Sequence, residues 1–177
     1  MSKPSGKQPG GMDEEASRVL GTLRLLARHR VRFVLIGGQA AVARGSPVLT
    51  QDLDICYAPD PDNLERLAAA LRELRATLRG APPGLPFQLD AKTLKAGDHF
   101  TFDTALGPLD CLGTPAGTNG FRDLDARAED MDLDELIVRV ASLDDLIRMK
   151  RASGRTKDRI ALEWLGALRD EQRPGEG

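Results

Sequence analysis

The run LTQDLDICYAP, Leu49 to Pro59, decides how the rest of the chain is read. Its apolar, β-branched character is that of a buried strand, yet it carries two carboxylates, Asp52 and Asp54. Side chains at i and i+2 of a strand share a face, with Cα atoms ~6.6 Å apart at a rise of ~3.3 Å per residue. Neighbouring like charges repel and burial adds a desolvation cost, so the pair requires compensation. A third acid, Asp110, lies between Leu109 and Cys111 in another apolar run. If the strands are neighbours, like charges ~4 Å apart repel by ~4 kcal/mol at an effective dielectric of 20. A divalent cation resolves this. Magnesium takes hard oxygen ligands and is commonly held by one or two carboxylates plus substrate phosphates. Two such ions can stabilise both the entering and the leaving oxygen of a displacement at phosphorus. The candidate metal ligands, and candidate catalytic residues, are therefore Asp52, Asp54 and Asp110.

Immediately upstream, VRFVLIGG places a short β-branched run, Val31 to Ile36, before Gly37 and Gly38. A glycine pair after a strand is usually only a turn. Beside a carboxylate cluster it gains a second use, because backbone N–H groups without side chains can approach phosphate oxygens closely. QAAVARG then reads as a short helix closed by Gly45. Further upstream, Ala16, Val19, Leu20, Leu23, Leu26 and Ala27 recur at helical spacing, with Arg28 and Arg30 at the C-terminal end.

Downstream, Asp62 to Glu65 has the form of a capping box, and Leu64, Leu67, Ala68, Leu71, Leu74 and Leu78 line one helix face. DHFTFDTALGPLDCLG predicts paired strands around a Gly-Pro turn, and a polar, acidic loop leads to a strand in ELIVRVAS. Ser142 and Asp145 cap a helix through Met149 that Gly154 breaks. Ile160, Ala161, Trp164, Leu165 and Leu168 mark a last amphipathic helix.

The 177 residues support one domain with a true core, 13–171, comprising a core at 31–140 and C-terminal helices at 142–171, between flexible tails at 1–12 and 172–177. The fold class expected is α/β (α+β): a small mixed sheet flanked by helices, closed on one side by a helical C-terminal segment. The longest strongly apolar run, FVLI, is far below membrane-spanning length, and the N-terminus lacks the apolar core of a secretory signal. A cytoplasmic location is the expectation. Cys56 and Cys111 then read as small buried hydrophobes. A formal charge of -2 and 4% aromatic content argue against a broad nucleic-acid platform. Arg148, Lys150, Arg151, Arg155, Lys157 and Arg159 nevertheless form a local basic concentration, which could meet RNA phosphates or simply pair with Asp144, Asp145 and Asp158.

Taken together, LIGGQAAVARGSPVLTQDLDI, the later GPLDCL and SLDDLIRMKRASGRTKD resemble the nucleotidyltransferase superfamily with the DNA polymerase β-like fold, from about Val31 to Leu168. The nearest resemblance is to minimal nucleotidyltransferases and the AbiEii-type toxins of toxin–antitoxin systems. The resemblance implies that Gly37 and Gly38 hold nucleotide phosphates, that Asp52 and Asp54 bind two Mg2+ ions, and that Asp110 completes one metal site and helps to activate the acceptor hydroxyl. It also implies a nucleotide-facing Lys150, with Arg155 and Asp158 in the following GRxKD pattern. Where relatives carry HGxxRxT, this chain has Arg44 and Val48, with Thr50 kept. The expected activity is magnesium-dependent transfer of a nucleoside monophosphate from an NTP such as ATP to an acceptor hydroxyl, on RNA such as tRNA, on a protein or on a small aminoglycoside-like molecule, with a cognate antitoxin or toxin as partner. The alternative is a catalytically weak nucleotide- or partner-binding module of a toxin–antitoxin pair.

Overall fold

The computed structural model describes residues 10–48, 50–154 and 158–173. Of the expected tails at 1–12 and 172–177, residues 1–9 and 174–177 lie outside the described residues, as do Leu49, Arg155 and Lys157, while 10–12 open the first helix and Gln172 ends the last. Helix α1 (Gly10–Arg28) leads into β1 (Phe33–Ile36), α2 (Gly37–Ala43), β2 (Leu53–Tyr57), α3 (Pro61–Glu73) and β3 (Thr77–Leu78). Then come α4 (Ala91–Ala96), β4 (His99–Thr104), β5 (Gly107–Leu112), α5 (Phe121–Asp125), β6 (Glu129–Leu133), β7 (Leu136–Val140), α6 (Leu143–Ser153) and α7 (Asp158–Gln172).

The strands form one mixed sheet of seven, in the order β3-β4-β5-β2-β1-β7-β6, a wider sheet than the sequence suggests. Two pairings position everything that follows. Strand β2 runs antiparallel to β1, so that Ile36, the last residue before the glycine pair, faces Asp54. Strand β5 runs parallel to β2 in a register that sets Asp110 directly beside Asp54. The glycine turn and two acids from distant segments thus meet at one end of the sheet.

Burial explains why these strands lie in the middle. Val34, Leu35, Ile55, Cys56, Leu109 and Cys111 are at most 1% exposed and join one core with Leu64, Leu67 and Leu71 of α3. Each such aliphatic side chain contributes ~1.5–3 kcal/mol relative to remaining in water. Both cysteines are free and buried, as expected of small hydrophobes. Asn63 of α3 is fully buried yet satisfied: it accepts from the Arg32 N–H (2.7 Å) and donates to the carbonyls of Arg32 (3.0 Å) and Ala58 (2.8 Å). It therefore locks α3 to the entry of β1 without an unpaired polar group.

Several local expectations are corrected. Helix α3 is capped by Asp60, whose carboxylate accepts from the Asn63 N–H, with Pro61 at the first helical position, rather than by a box at Asp62. Leu74 ends that helix, so Leu78 belongs to β3 instead of the helix face. The hairpin turn of β4 and β5 falls before Gly107-Pro108, and those two residues begin β5. The acidic segment read as a loop contains β6, which pairs antiparallel with β7. Alternation of exposed acids with half-buried Met131 and Leu133 is the pattern of an edge strand, and the density of charge hides it. Helix α6 starts as expected, Ser142 Oγ accepting from the Asp145 N–H (3.1 Å), and Gly154 ends it at φ 63°. Among the described residues no helix is long and apolar enough to cross a membrane.

Candidate active site

The carboxylates of Asp54 and Asp110 lie side by side on adjacent parallel strands, close enough to share a hydrogen bond when one is protonated. Asp54 is pushed from 3.8 up to about 7, first by burial, then by the Asp110 charge and that shared hydrogen bond, and then by Asp52. Lys150, near the end of α6, acts in the opposite direction on the same group. Asp52 precedes β2 and is exposed, so it stands at the mouth of the site while the other two are recessed. The structure therefore brings Asp54, Asp110 and the Lys150 charge together and keeps Asp52 at the rim.

The glycine pair has a steric explanation. Gly37 adopts φ +69°, and a Cβ there would stand 2.2 Å from Asp54 Oδ2. A Cβ on Gly38 would stand 2.7 Å from the Thr50 methyl carbon. Only glycine lets the chain leave β1, reverse and pass over the acidic strand at this distance. The turn and the acids are thus one constructed unit, with backbone pressed directly against the Asp54 carboxylate.

Arg44 serves the fold. Its side chain is 6% exposed, and it donates through Nε to the Ala141 carbonyl (2.7 Å) and through Nη2 to that of Val140 (3.2 Å). It therefore ties the end of α2 to the end of β7. Val48 is partly exposed in the loop that follows. Part of the basic concentration is likewise absorbed. Arg148 donates to Asp123 (2.9 Å) and lies 3.1 Å from Asp145, which is 2% exposed and also receives Arg127 at 2.7 Å. Arg155 lies outside the described residues, and only the backbone of Asp158 is described, as the start of α7.

One residue that sequence reasoning missed is Arg79. It follows β3, donates to the Phe102 carbonyl (2.9 Å) and Asp103 (3.1 Å), and brings Nη2 to 3.5 Å from Asp110 Oδ1. That approach lies outside hydrogen-bonding geometry, so Asp110 Oδ1 is buried without a hydrogen-bond partner. No sequence signal could have found Arg79, since its proximity depends on β3 joining the far edge of the sheet.

Among the described residues no three His, Cys, Asp or Glu side chains stand together as a ready set of metal ligands. The pair Asp54 and Asp110 nevertheless has the donor chemistry that a hard divalent cation requires: two carboxylates in contact, one with an unpartnered buried oxygen. Two cavities, of about 170 Å3 between α1 and the start of β2 and about 440 Å3 beyond the ends of β2 and β5, are lined by other residues. The carboxylates themselves line neither.

No family model and no curated protein sequence matches the chain. Solved structures do. The chain is similar to the lincosamide antibiotic adenylyltransferase LnuA in its lincomycin-bound form, with a TM-score of 0.59 at 13% identity over 86% of this chain and 96% of that one. It is similar to the antibiotic-resistance factor ANT(2'')-Ia, with a TM-score of 0.56 at 15% identity over 89% and 90% of the two chains. A Thermotoga maritima protein described as a candidate nucleotidyltransferase gives 0.56 at 15% identity over 85% and 94%. Coverage of nearly the whole of each neighbour, with a mixed sheet and a glycine turn set against paired acids, shows that the chain has the nucleotidyltransferase fold.

Proposed function

We propose that the chain is a magnesium-dependent nucleotidyltransferase that moves a nucleoside monophosphate from an NTP to an acceptor hydroxyl. The observation that carries this is the contact between Asp54 and Asp110, recessed beside a glycine turn and without a hydrogen-bonded cation on Asp110 Oδ1. Asp145, by contrast, has its carboxylate directly hydrogen-bonded by Arg127 at 2.7 Å.

In this proposal Asp54 and Asp110 hold the metal, with Asp52 joining from the mouth. Bound magnesium would supply positive charge against the α-phosphate and the leaving oxygen. The chain's residues do the remainder. Backbone at Gly37 and Gly38, bare of side chains, receives the phosphates, and the Lys150 charge favours the same anionic ligand. Asp110 orients the acceptor hydroxyl and takes its proton as the oxygen attacks phosphorus. The bond to the β-phosphate breaks, and pyrophosphate leaves.

A small-molecule acceptor is favoured over RNA. Two of the structural neighbours carry antibiotics in their names, and Arg148 is engaged by Asp123 and Asp145, which reduces the basic surface an RNA would need. No observation singles out an antitoxin or toxin partner. Incubation with each α-labelled NTP, Mg2+ and panels of hydroxyl-bearing small molecules, RNA and protein tests the proposal. Magnesium-dependent label transfer, abolished by Asp54→Ala and Asp110→Asn, is expected. Failure with all four NTPs and every panel, in a protein that still binds NTP, would overturn it in favour of a binding module.

A further inference from the structure

Resting on that proposed function, we infer that Arg79 is a positioning residue of the same site: it holds the Asp110 carboxylate by charge without hydrogen-bonding its buried Oδ1, so that the carboxylate stays available as a ligand to a divalent cation. The sheet builds this arrangement. Thr101 of β4 is the register partner of Asp110, and the Arg79 N–H donates to the Thr101 carbonyl at 2.9 Å. Asp54, Asp110, Thr101 and Arg79 therefore form one row across the sheet, from the glycine turn towards its edge.

The guanidinium is clamped within that row. Nε donates to Asp103 (3.1 Å) and Nη2 to the Phe102 carbonyl (2.9 Å), which leaves Nη2 3.5 Å from Asp110 Oδ1. An arginine free to move would close on the carboxylate to ~2.7–2.9 Å and occupy its lone pairs. The two anchors prevent this. Asp110 thus feels a fixed positive charge on one side and keeps an unpartnered oxygen. Two opposed effects follow. The fixed charge restrains the carboxylate in its place beside Asp54, which favours turnover. The same charge repels a second cation approaching the pair, which weakens metal affinity. A residue serving only to staple β3 to β4 would do neither.

Mn2+ provides the probe, titrated by electron paramagnetic resonance into the full chain at pH 8 without nucleotide. Arg79→Gln is expected to bind Mn2+ at least threefold more tightly than wild type, whereas Arg79→Lys, whose single ammonium lacks the two-point clamp and can close on Asp110, binds it no more tightly than wild type. In the transfer assay Arg79→Gln should lose at least tenfold in kcat with the KM for NTP within threefold. Should Arg79→Gln fail to fold, Asp103→Ala releases one anchor, lets the guanidinium close on Asp110, and is expected to weaken Mn2+ binding at least threefold. Mn2+ binding that depends on Asp54 and Asp110, yet is unchanged or weaker in a folded Arg79→Gln, overturns this inference and leaves the proposed function standing. Wild type that binds no Mn2+, or binds it equally well after Asp54→Ala and Asp110→Ala, removes the metal site itself, and the role of Arg79 falls with it.

Discussion

Replacing Asp54 with asparagine should stabilise the metal-free protein at alkaline pH, although it removes a residue assigned to the site. Burial and Asp110 raise the Asp54 carboxyl from 3.8 to about 7, so the folded state binds its proton more strongly than the unfolded chain does. The sign follows directly: stability is highest where both states are protonated, falls as pH rises from about 4, and levels off above about 7. At ~1.4 kcal/mol per pH unit, the interval from 3.8 to about 7 costs the wild type at most about 4 kcal/mol. Between pH 5 and pH 8 the change is about 2–3 kcal/mol. The substituted asparagine carries no such penalty, and its amide can donate to the Asp110 carboxylate. Urea unfolding of wild type and Asp54→Asn at both pH values measures the difference. The gap should widen towards pH 8 in favour of the variant, and millimolar Mg2+ should stabilise only the wild type. Stability differences that stay within ~0.5 kcal/mol of each other at the two pH values would refute the electrostatic reasoning.

The other predictions concern the groups around that pair. Gly37→Ala forces a left-handed backbone onto an L side chain, at about 1–2 kcal/mol, and drives its Cβ into Asp54 Oδ2. Urea unfolding should show the loss, and label transfer should fall at least a hundredfold. Arg44→Met removes hydrogen bonds to the Ala141 and Val140 carbonyls and should cost about 2–3 kcal/mol in unfolding experiments. Its NTP affinity, read by equilibrium binding, should stay within twofold, because the side chain faces the sheet. Lys150→Met removes a positive charge that lowers the proton affinity of Asp54, so the acidic limb of the rate profile should move to higher pH.

The elements of the site legible in the sequence were those whose burial conflicts with their charge. Asp54 and Asp110 stand out because each interrupts an apolar strand, and Gly37 and Gly38 because they end one. Strand pairing then needs only β2 beside β5 for the acids to meet, and the structure supplies it. Arg79 was invisible because its role comes from a two-residue strand at the edge, where no periodicity can develop. Arg44 was left without a role for a different reason. Sequence sets it only at the histidine position of the HGxxRxT pattern, whereas its direction is set by carbonyls at the end of β7, nearly a hundred residues away. For Arg148 the sequence already offers Asp145, one turn upstream on the same helix, whereas Asp123, 25 residues upstream, is brought to it only by tertiary structure.

The acidic strand β6 has a bearing on how copies of this protein behave when crowded. It forms one margin of the sheet, where unpaired backbone groups could template the addition of a strand from a second molecule. Glu129, Asp130 and Asp132 are exposed along it, so two such borders brought together would confront acid with acid. At the opposite margin β3 spans only two residues, too short to seed a ladder. Self-association through either border is thereby discouraged, and neutralising the acids of β6 should make the protein prone to fibrous aggregation while leaving its chemistry intact.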